Sequence, residues 1–351
     1  MTALRVLVVD DSAVARESLT ALLSRHGGMD VTTAADGVIA LRKLARERPD
    51  VIVLDLDLPR LSGLDFLSQV MRNDPIPVVV CSSLGDGRAA LDALERGALE
   101  VIAKPRLGVR DFLLDSAITI VDCVRAAATA RVPVRLASAA RRAKASLRPR
   151  TNGTPRIACE GLVALGASTG GTEALAQVLE RMPADAPGMV VVQHMPAPFT
   201  AAFANRLDQA CAVRVRQAGH GDRVEQGLVL IAPGDRHLRV RGSPLGFAIE
   251  LDDGPLVSRH RPSVDVLFES VAKAAGTRAV GVIMTGMGSD GASGLFEMRA
   301  AGAATIAQDE KSSAVFGMAR HAIERGAAET VMALAEIGDA ILRASSKWRT
   351  R

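Results

Sequence analysis

The chain is poor in cysteine. Its 351 residues include only four, and no two of them form a C-x-x-C pair. They stand far apart in apolar surroundings, at Cys81, Cys123, Cys159 and Cys211. This spacing argues against a zinc site and against a disulfide framework. We therefore interpret the four side chains as reduced structural thiols.

Long apolar runs and a secretion signal are also lacking. No stretch approaches the roughly 18 apolar residues that a membrane-spanning helix requires. The amino-terminal residues reach two acidic side chains, Asp10 and Asp11, without a signal-peptide cleavage pattern. We therefore expect a cytoplasmic protein without direct membrane insertion.

Basic charge is not spread over the chain, although the net charge is +4. Nine Lys or Arg residues and no acidic residue lie between Asp122 and Glu160. Subtracting these nine from the 43 basic residues leaves 34, against 39 acidic residues. The second half has neither a basic recognition helix nor net positive charge, so we expect no nucleic-acid partner.

The length exceeds that of one ordinary core, which predicts two domains. Residues 1–125 alternate short apolar runs with helix-like segments, and this alternation predicts a parallel sheet with crossover helices. The strand-like runs are 6–9, 50–54, 78–81 and 100–103.

Polar residues stand at the end of each strand-like run. They are Asp10, Asp11, Asp55, Ser82 and Lys104. Because parallel strands end at one edge of the sheet, we expect these side chains to gather there. Taken singly, an acidic residue at a strand end is most often a helix cap or faces water. Taken together, three carboxylates suit a hard cation such as Mg²⁺, and the lysine and serine suit a phosphoryl group.

Residues 1 to about 123 resemble the receiver domain of response regulators, a flavodoxin-like α/β fold. The resemblance implies that Asp55 is the phosphoacceptor and that a chemotaxis histidine kinase is the phosphodonor. Ser82 and Lys104 match positions that contact the phosphoryl group. The implied Mg²⁺ site consists of Asp10, Asp11, Asp55 and the backbone carbonyl of Asp57.

One position departs from the receiver pattern. Many receivers carry an aromatic switch residue three positions before the lysine, and here that position is Val101. Rotation of an aromatic ring therefore cannot couple phosphorylation to output in this chain. We expect the coupling to depend on Ser82 and on loop movement.

A basic stretch of small residues follows the last predicted receiver helix, which runs from Asp111 to about Thr129. The stretch is highly charged and has few large apolar residues, so it cannot bury enough apolar surface to offset the entropy lost on ordering. A nucleic-acid-binding arm is disfavoured because the stretch has no aromatic residues for base stacking. We predict a receiver domain over 1–125, a basic flexible linker over 126–156 and a catalytic domain over 157–351.

The second domain begins with a glycine-rich turn around Ser168. The apolar run 162–165 predicts a buried strand, and the periodicity from Ala174 to Met182 predicts a helix. The glycines between them permit positive φ and close backbone approach, which would lift the Ser168 hydroxyl clear of the sheet. The alternative is a turn in which the serine has no chemical role.

Two further predicted strands of this domain also end in polar residues. The run 189–193 leads to His194, and the run 280–284 leads through glycines to Asp290. Alone, His194 would usually be structural and Asp290 would be a helix N-cap. His220, His237 and His260 lack metal-ligand spacing, and we interpret them as loop or substrate-groove residues, with a structural role favoured for His220. A β-hairpin region is predicted over 224–252.

Ser168, His194 and Asp290 should meet at the carboxyl edge of a doubly wound, mostly parallel sheet. A serine hydroxyl becomes nucleophilic when an imidazole accepts its proton and a carboxylate orients that imidazole. The three residues therefore form a candidate acyl-transfer triad. The G-x-S-x-G pattern also fits α/β-hydrolases, but those order their triad Ser, Asp, His and often carry an HGGG-type loop, which is absent here.

Three motifs resemble the catalytic domain of the chemotaxis protein-glutamate methylesterase family, CheB. They are GASTGG at 166–171, QHMP at 193–196 and TGMGSDG at 285–291. Further matches are at 232–237, 261–265 and 316–318. Members usually have proline where this chain has Ala319, a peripheral difference. With the receiver in front, the resemblance covers nearly the whole chain.

The resemblance implies hydrolysis of γ-glutamyl methyl esters on methyl-accepting chemoreceptors, with release of methanol, and deamidation of receptor glutamines. It assigns Ser168 as nucleophile, His194 as base and then acid, and Asp290 as the residue that orients His194. The backbone N–H of Met287 is our candidate for the oxyanion site, and the esterase chemistry is expected to need no cofactor. The unphosphorylated receiver is expected to cover the entrance near Ser168. A non-catalytic adaptor that docks on receptors is the alternative.

Overall fold

The chain divides into two compact units, Met1–Leu136 and Ala137–Arg351. The computed structural model describes residues 3–83, 87–104, 110–130, 159–243 and 246–348, with the backbone alone described for 110–117. Both units are α/β, which confirms the predicted fold class. Within the described residues, no helix is long and apolar enough to cross a membrane.

The first unit is a five-stranded parallel sheet with crossover helices. Its strands are β1 (Arg5–Val9), β2 (Asp30–Ala34), β3 (Val51–Leu54), β4 (Val78–Ser82) and β5 (Glu100–Ala103). Its helices are α1 (Ala13–Gly27), α2 (Gly37–Leu44), α3 (Gly63–Asn73), α4 (Gly87–Glu95) and α5 (Arg110–Thr129). The strand order is β2-β1-β3-β4-β5, and every pairing is parallel. This is the flavodoxin-like order. Of the predicted linker 126–156, residues 131–156 lie outside the described residues.

The apolar runs of this unit are continuous because helices cover both faces of a parallel sheet. Every residue of β3 and β4 is buried. The side chains of Ser12, Asp36 and Ser62 accept hydrogen bonds from the first turns of α1, α2 and α3. These caps start α1 and α2 within four residues of the preceding strand, and the carboxylates at the ends of β1 and β3 are left available for other contacts.

The second unit is a seven-stranded parallel sheet with a separate hairpin. The strands of the sheet are β6 (Leu162–Ala167), β7 (Gly188–Gln193), β8 (Arg214–Gln217), β9 (Leu228–Ile231), β12 (Ala279–Ile283), β13 (Ala304–Gln308) and β14 (Thr330–Met332). The hairpin consists of β10 (His237–Ser243) and β11 (Gly246–Asp252). The helices are α6 (Gly171–Leu179), α7 (Ala197–Ala210), α8 (Val264–Ala275), α9 (Ala292–Ala300), α10 (Met318–Glu324) and α11 (Leu334–Ser345).

The strand order of the large sheet is β14-β13-β12-β6-β7-β9-β8. The chain therefore builds outward from β6 in one direction and then returns to its other side. The residues after β6, β7 and β12 lie at neighbouring positions on the carboxyl edge, at the switch point where open α/β sheets bind ligands. In the β6–β7 register, Ala167 pairs with Gln193, so Ser168 and His194 follow paired positions.

The hairpin in the structure is shorter than the region 224–252 that the sequence pattern predicts. Residues 239–243 and 246–252 lie in the antiparallel hairpin, but Leu228–Ile231 is a parallel strand of the main sheet, between β7 and β8. All four residues of β9 are buried. A strand with both faces covered is apolar throughout, and this explains its place in the parallel sheet.

Candidate active site

Ser168 occupies the turn between β6 and α6. Its backbone N–H donates to the carbonyl of Thr285 at 3.0 Å, which ties the turn to the segment after β12. Gly170 has φ 76° and begins the helix in a left-handed conformation that favours glycine. The Ser168 side chain lies at the amino end of α6, where backbone N–H groups point toward a bound anion.

His194 follows β7 and is held beside Ser168 through the backbone. Its N–H donates to the carbonyl of Ala167 at 3.1 Å, one residue before the serine. Its ring Nε2 lies 2.8 Å from the carboxylate Oδ2 of Asp290. The imidazole side chain is 8% exposed and the carboxylate side chain is 1% exposed. The structure therefore brings His194 and Asp290 into direct contact in a nearly dry site.

Asp290 does not cap its own helix. The N-cap residue of α9 is Gly291, which has no side-chain cap. The carboxylate instead accepts hydrogen bonds from Ser263 Oγ at 2.7 Å, from the N–H of Val264 at 2.7 Å and from the N–H of Asp265 at 3.0 Å. It thus lies at the amino terminus of α8, far away in sequence, while contacting His194.

The protonation state of Asp290 follows from these contacts. Burial raises the pKa of the carboxyl, but the hydrogen bonds and charge of His194 and the donors Ser263 and Val264 outweigh burial and bring it to about 2. Asp290 is therefore a carboxylate at neutral pH. A neutral His194 must carry its proton on Nε2 to donate to this acceptor, which leaves a lone pair on Nδ1.

The lone-pair nitrogen of His194 is the one available to a nucleophile. Nδ1 is buried and has no hydrogen-bond partner among the described residues. It is also the ring nitrogen nearer the backbone, which is bonded to Ala167 beside Ser168. The Ser168 hydroxyl donates no hydrogen bond among the described residues, and the backbone contact of His194 with Ala167 places the two residues side by side. Catalytic hydrogen bonds often tighten only when substrate is bound.

The segment after β12 lies against the Ser168 side chain. A Cβ atom on Gly286 would be 2.7 Å from Ser168 Cβ and 2.3 Å from the sulfur of Met318, so only glycine fits there. The next residue, Met287, has a backbone N–H that donates to no group among the described residues. A free N–H this close to a nucleophile is suited to an oxyanion.

Of the three other histidines named from the sequence, only His260 lies at this site. Its ring is stacked on that of His194, with centroids 3.7 Å apart. His237 is buried, with Nε2 donating to the carbonyl of Pro255 and Nδ1 accepting from the N–H of Ser263. His220 accepts from the N–H of Leu251 in the hairpin.

His194, His260 and Asp290 each offer a ligand atom within 4.8 Å of the others. His194 Nε2 is already bonded to Asp290, and both carboxylate oxygens accept further hydrogen bonds. The parallel rings also cannot direct two lone pairs at one ion. We assign no metal to this group.

The first unit brings its predicted polar residues together at the carboxyl edge of its sheet. Asp10 and Asp55 are 1% and 2% exposed, and with Asp11 they place one carboxylate oxygen each within 4.8 Å of one another. Lys104 Nζ lies 2.8 Å from Asp10 Oδ2 and 2.7 Å from Asp55 Oδ2. Neither Asp10 nor Asp11 is the cap of α1, which is Ser12.

The charge balance of this cluster suits a divalent cation. Burial raises the pKa of Asp55, and the Lys104 ammonium only partly opposes this. One ammonium among three carboxylates leaves an excess of negative charge and several oxygen ligands, the donor set that Mg²⁺ prefers. Asp57 is exposed in the following loop, and its N–H bonds to Asp55. Ser82 and Val101 are buried, at 1% and 2% exposure.

Two family models match the chain. The CheB methylesterase model matches residues 163–341, and the response regulator receiver domain model matches residues 6–110. The first covers about half of the chain and includes Ser168, His194 and Asp290. The chain belongs to the CheB methylesterase family.

Relatives in this family match over nearly the full length. A protein-glutamate methylesterase/protein-glutamine glutaminase of Anaeromyxobacter dehalogenans is 54% identical over 96% of this chain and 98% of its own. One of Rhodospirillum rubrum is 50% identical over 98% of this chain and 99% of its own. The CheB methylesterase catalytic domain of Thermotoga maritima is 36% identical, with a TM-score of 0.51 over 52% of this chain and 97% of that domain.

Two residues beside the Ser168 turn have roles that their sequence motifs do not predict. Gln193 Nε2 donates to the carbonyls of Ser168 and His194, at 2.9 and 3.1 Å, and so joins the two turns. Thr285 Oγ1 donates to the carbonyl of Thr169 at 2.9 Å. Gln193 stands within the QHMP motif, but only the fold shows that its amide faces the Ser168 turn.

Proposed function

We propose that this chain is a phosphorylation-controlled protein-glutamate methylesterase and protein-glutamine glutaminase in which Ser168, His194 and Asp290 perform the hydrolysis. The observation that carries the proposal is the buried contact of His194 Nε2 with the Asp290 carboxylate, made beside Ser168. The substrates are γ-glutamyl methyl esters, and particular glutamines, on the cytoplasmic helices of chemoreceptors.

The first half of the reaction forms an acyl-enzyme. Ser168 Oγ attacks the ester carbonyl carbon while its proton passes to Nδ1 of His194. The carbonyl oxygen becomes an oxyanion that accepts a hydrogen bond from the N–H of Met287. When the tetrahedral intermediate collapses, the C–O bond to the methoxy group breaks, and methanol leaves with the proton from His194.

The second half releases glutamate. Water attacks the acyl carbon as His194 takes its proton, and Ser168 then leaves with that proton restored to Oγ. A glutamine substrate follows the same sequence with ammonia as the leaving group. Throughout, the ionised Asp290 keeps the proton of His194 on Nε2 and stabilises the imidazolium that forms in each half.

The receiver site supplies the control. Asp55 would accept the phosphoryl group from a chemotaxis histidine kinase, with Lys104 and Ser82 contacting its oxygens. Asp10, Asp11, Asp55 and the carbonyl of Asp57 would hold Mg²⁺, which would offset the charge of the phosphoryl oxygens. The same proposal divides the chain into a receiver over 1–125, a linker over 126–156 and a catalytic domain over 157–351.

The experiment measures methanol from methylated receptor membranes and ammonia from unmodified ones. Wild type should release both, and His194→Gln should lose both by about 10³-fold or more while it remains folded, because one base serves both reactions. A variant that loses one product and retains the other would contradict a shared site. A wild-type protein that binds receptors and releases neither product would favour the adaptor alternative.

A further inference from the structure

The ring of His260 lies flat against the ring of His194. Their centroids are 3.7 Å apart and their planes differ by 7°. His260 comes from the segment between β11 and α8, whereas His194 follows β7. The histidine proposed as the catalytic base therefore has Asp290 at its edge and a second imidazole over its face.

A tight turn places His260 there. Val257 and His260 exchange backbone hydrogen bonds of 3.1 and 2.9 Å across the turn. The two residues between them, Ser258 and Arg259, both have left-handed backbones, with φ 52° and 65°. Left-handed conformations are unfavourable for residues other than glycine, and such strain concentrates at functional sites. The turn thus retains a costly shape that presents one ring to His194.

The proton of His260 is on the nitrogen that faces the turn. Nδ1 lies 2.7 Å from the carbonyl oxygen of Ser258, which can only accept, so Nδ1 carries hydrogen. Burial is the main cause that lowers the pKa of His260, to about 4, and the positive charge of His194 adds to it. At neutral pH His260 is therefore an uncharged ring, and its Nδ1–H donates to the carbonyl oxygen of Ser258 in the turn.

The charge state of His194 determines how favourable this stack is. Two neutral rings face to face are a poor arrangement because their π-clouds repel. A cation over the face of a neutral ring is attracted to it. In the reaction His194 becomes a cation when it takes the Ser168 proton, so the stack becomes most favourable as the reaction proceeds. Interactions that strengthen toward the transition state raise kcat.

We propose that His260 is a positioning residue of the esterase, whose neutral ring fixes the plane of His194 and stabilises the imidazolium formed when Ser168 attacks. This inference rests on the proposed role of His194 as base. His260 exchanges no proton in the reaction, since protons move only between His194 Nδ1 and Ser168 Oγ, the leaving group or the attacking water. The ring plane it fixes keeps Nε2 on Asp290 and Nδ1 toward Ser168.

Two substitutions separate the ring from the turn. His260→Phe keeps a flat aromatic face over His194 and removes the Nδ1–H donor to Ser258. His260→Asn keeps a side-chain N–H near the Ser258 carbonyl and removes the aromatic face. Both are made in the full chain, with His220→Asn as control, because His220 is exposed in the same unit and contacts the hairpin. Methanol release from methylated receptor membranes gives kcat and KM separately.

We expect His260→Asn to lower kcat by about 10- to 50-fold with KM within about 2-fold, and His260→Phe to restore kcat to within about 5-fold of wild type. His220→Asn should match wild type. Wild-type kcat in His260→Asn, or a Phe variant as slow as the Asn variant, would overturn the inference. Circular dichroism and the thermal midpoint of unfolding check that each variant is folded. If only one of the two His260 variants folds, its kcat alone tests the inference.

His194→Gln, assayed in parallel, separates this inference from the function on which it rests. If that variant retains wild-type kcat, the base assignment fails and the stack has no reaction to serve. If it is inactive while His260→Asn is unimpaired, the base assignment stands and the positioning role is wrong.

Discussion

At the scale of single residues, Asp290 has two duties that are usually assigned to different side chains. Its carboxylate receives the amino terminus of α8 through Ser263, Val264 and Asp265 and also holds His194 Nε2. The first duty belongs to stability and the second to catalysis. Replacing the carboxylate by an amide should therefore affect both, with different dependences on pH.

For catalysis, Asp290→Asn should lower kcat for methanol release by about 10³- to 10⁴-fold, because an amide can offer its N–H to Nε2 and favour the wrong tautomer of His194. The measurement is steady-state methanol release at pH 7 with a folded variant. A loss of less than about 10-fold would contradict the orienting role.

For stability, the pKa of Asp290 in the folded protein is about 2, below its ordinary value of 3.8. A lowered carboxyl pKa stabilises the fold above the ordinary value, and this stabilisation is lost as pH falls from about 4 to about 2. Wild type should lose about 2 kcal/mol of unfolding free energy over that window that Asp290→Asn does not lose. Denaturant titrations at pH 4 and pH 2 would measure this loss in both proteins. An equal loss of unfolding free energy in wild type and in Asp290→Asn would count against the prediction.

At the scale of elements, α8 and α9 are joined by a carboxyl group whose pKa is shifted upward, opposite to that of Asp290. Asp265 is buried in the first turn of α8, and its Oδ1 accepts from the N–H of Gly294 in α9 at 2.7 Å. Burial raises the pKa of Asp265 to about 6, with the nearby charge of Asp290 adding to this and the Gly294 bond opposing it. The contact between the two helices therefore contains a carboxyl group, Asp265, that burial makes harder to ionise.

The sign of this effect predicts a stabilising substitution. A carboxyl group with a raised pKa binds its proton more tightly in the folded state, so stability falls as pH rises from about 4 to about 6. Asp265→Asn keeps an acceptor for Gly294 without the charge. It should raise the unfolding free energy by about 1–3 kcal/mol at pH 7 and by much less at pH 4. Glu297→Gln, on the exposed face of α9, is the control, and equal effects of the two substitutions would refute the assignment.

Elements also show what the sequence could predict and what it could not. Apolar runs ending at Ser168 and His194 placed both on one edge of a parallel sheet, because strand direction and side-chain burial are local patterns. The strand Arg214–Gln217 alternates arginine with valine and glutamine at the sheet edge, and its polar composition concealed it. Within the predicted hairpin region, 228–231 is a parallel strand of the main sheet whereas Val224 bonds to the hairpin, since alternation alone does not specify a partner strand.

The contacts that complete the site are long-range, and no local pattern encodes them. Asp290 reaches the start of α8, Gln193 reaches the carbonyl of Ser168 and His260 stacks on His194. Each pair is separated by at least twenty-five residues and depends on strand order. The sequence therefore predicted which residues stand at strand ends, while their hydrogen-bond partners required the fold.

At the scale of the whole molecule, the two units carry two chemistries that must be coupled. We predict that a small phosphodonor raises methanol release by wild type and does not change release by Asp55→Asn, because the amide cannot accept a phosphoryl group.

We also predict that deleting residues 1–150 raises basal release if the unphosphorylated receiver covers the entrance near Ser168. A truncated protein no faster than the unstimulated full chain would argue against simple occlusion.

The central claim is that the Ser168 hydroxyl attacks the receptor ester. The most direct measurement is methanol release from methylated receptor membranes by the full chain carrying Ser168→Ala, with receptor binding and the thermal midpoint measured on the same preparation. We predict wild-type binding and folding, with release lowered by about 10⁴-fold or more. Release within about 10-fold of wild type from this variant would contradict it.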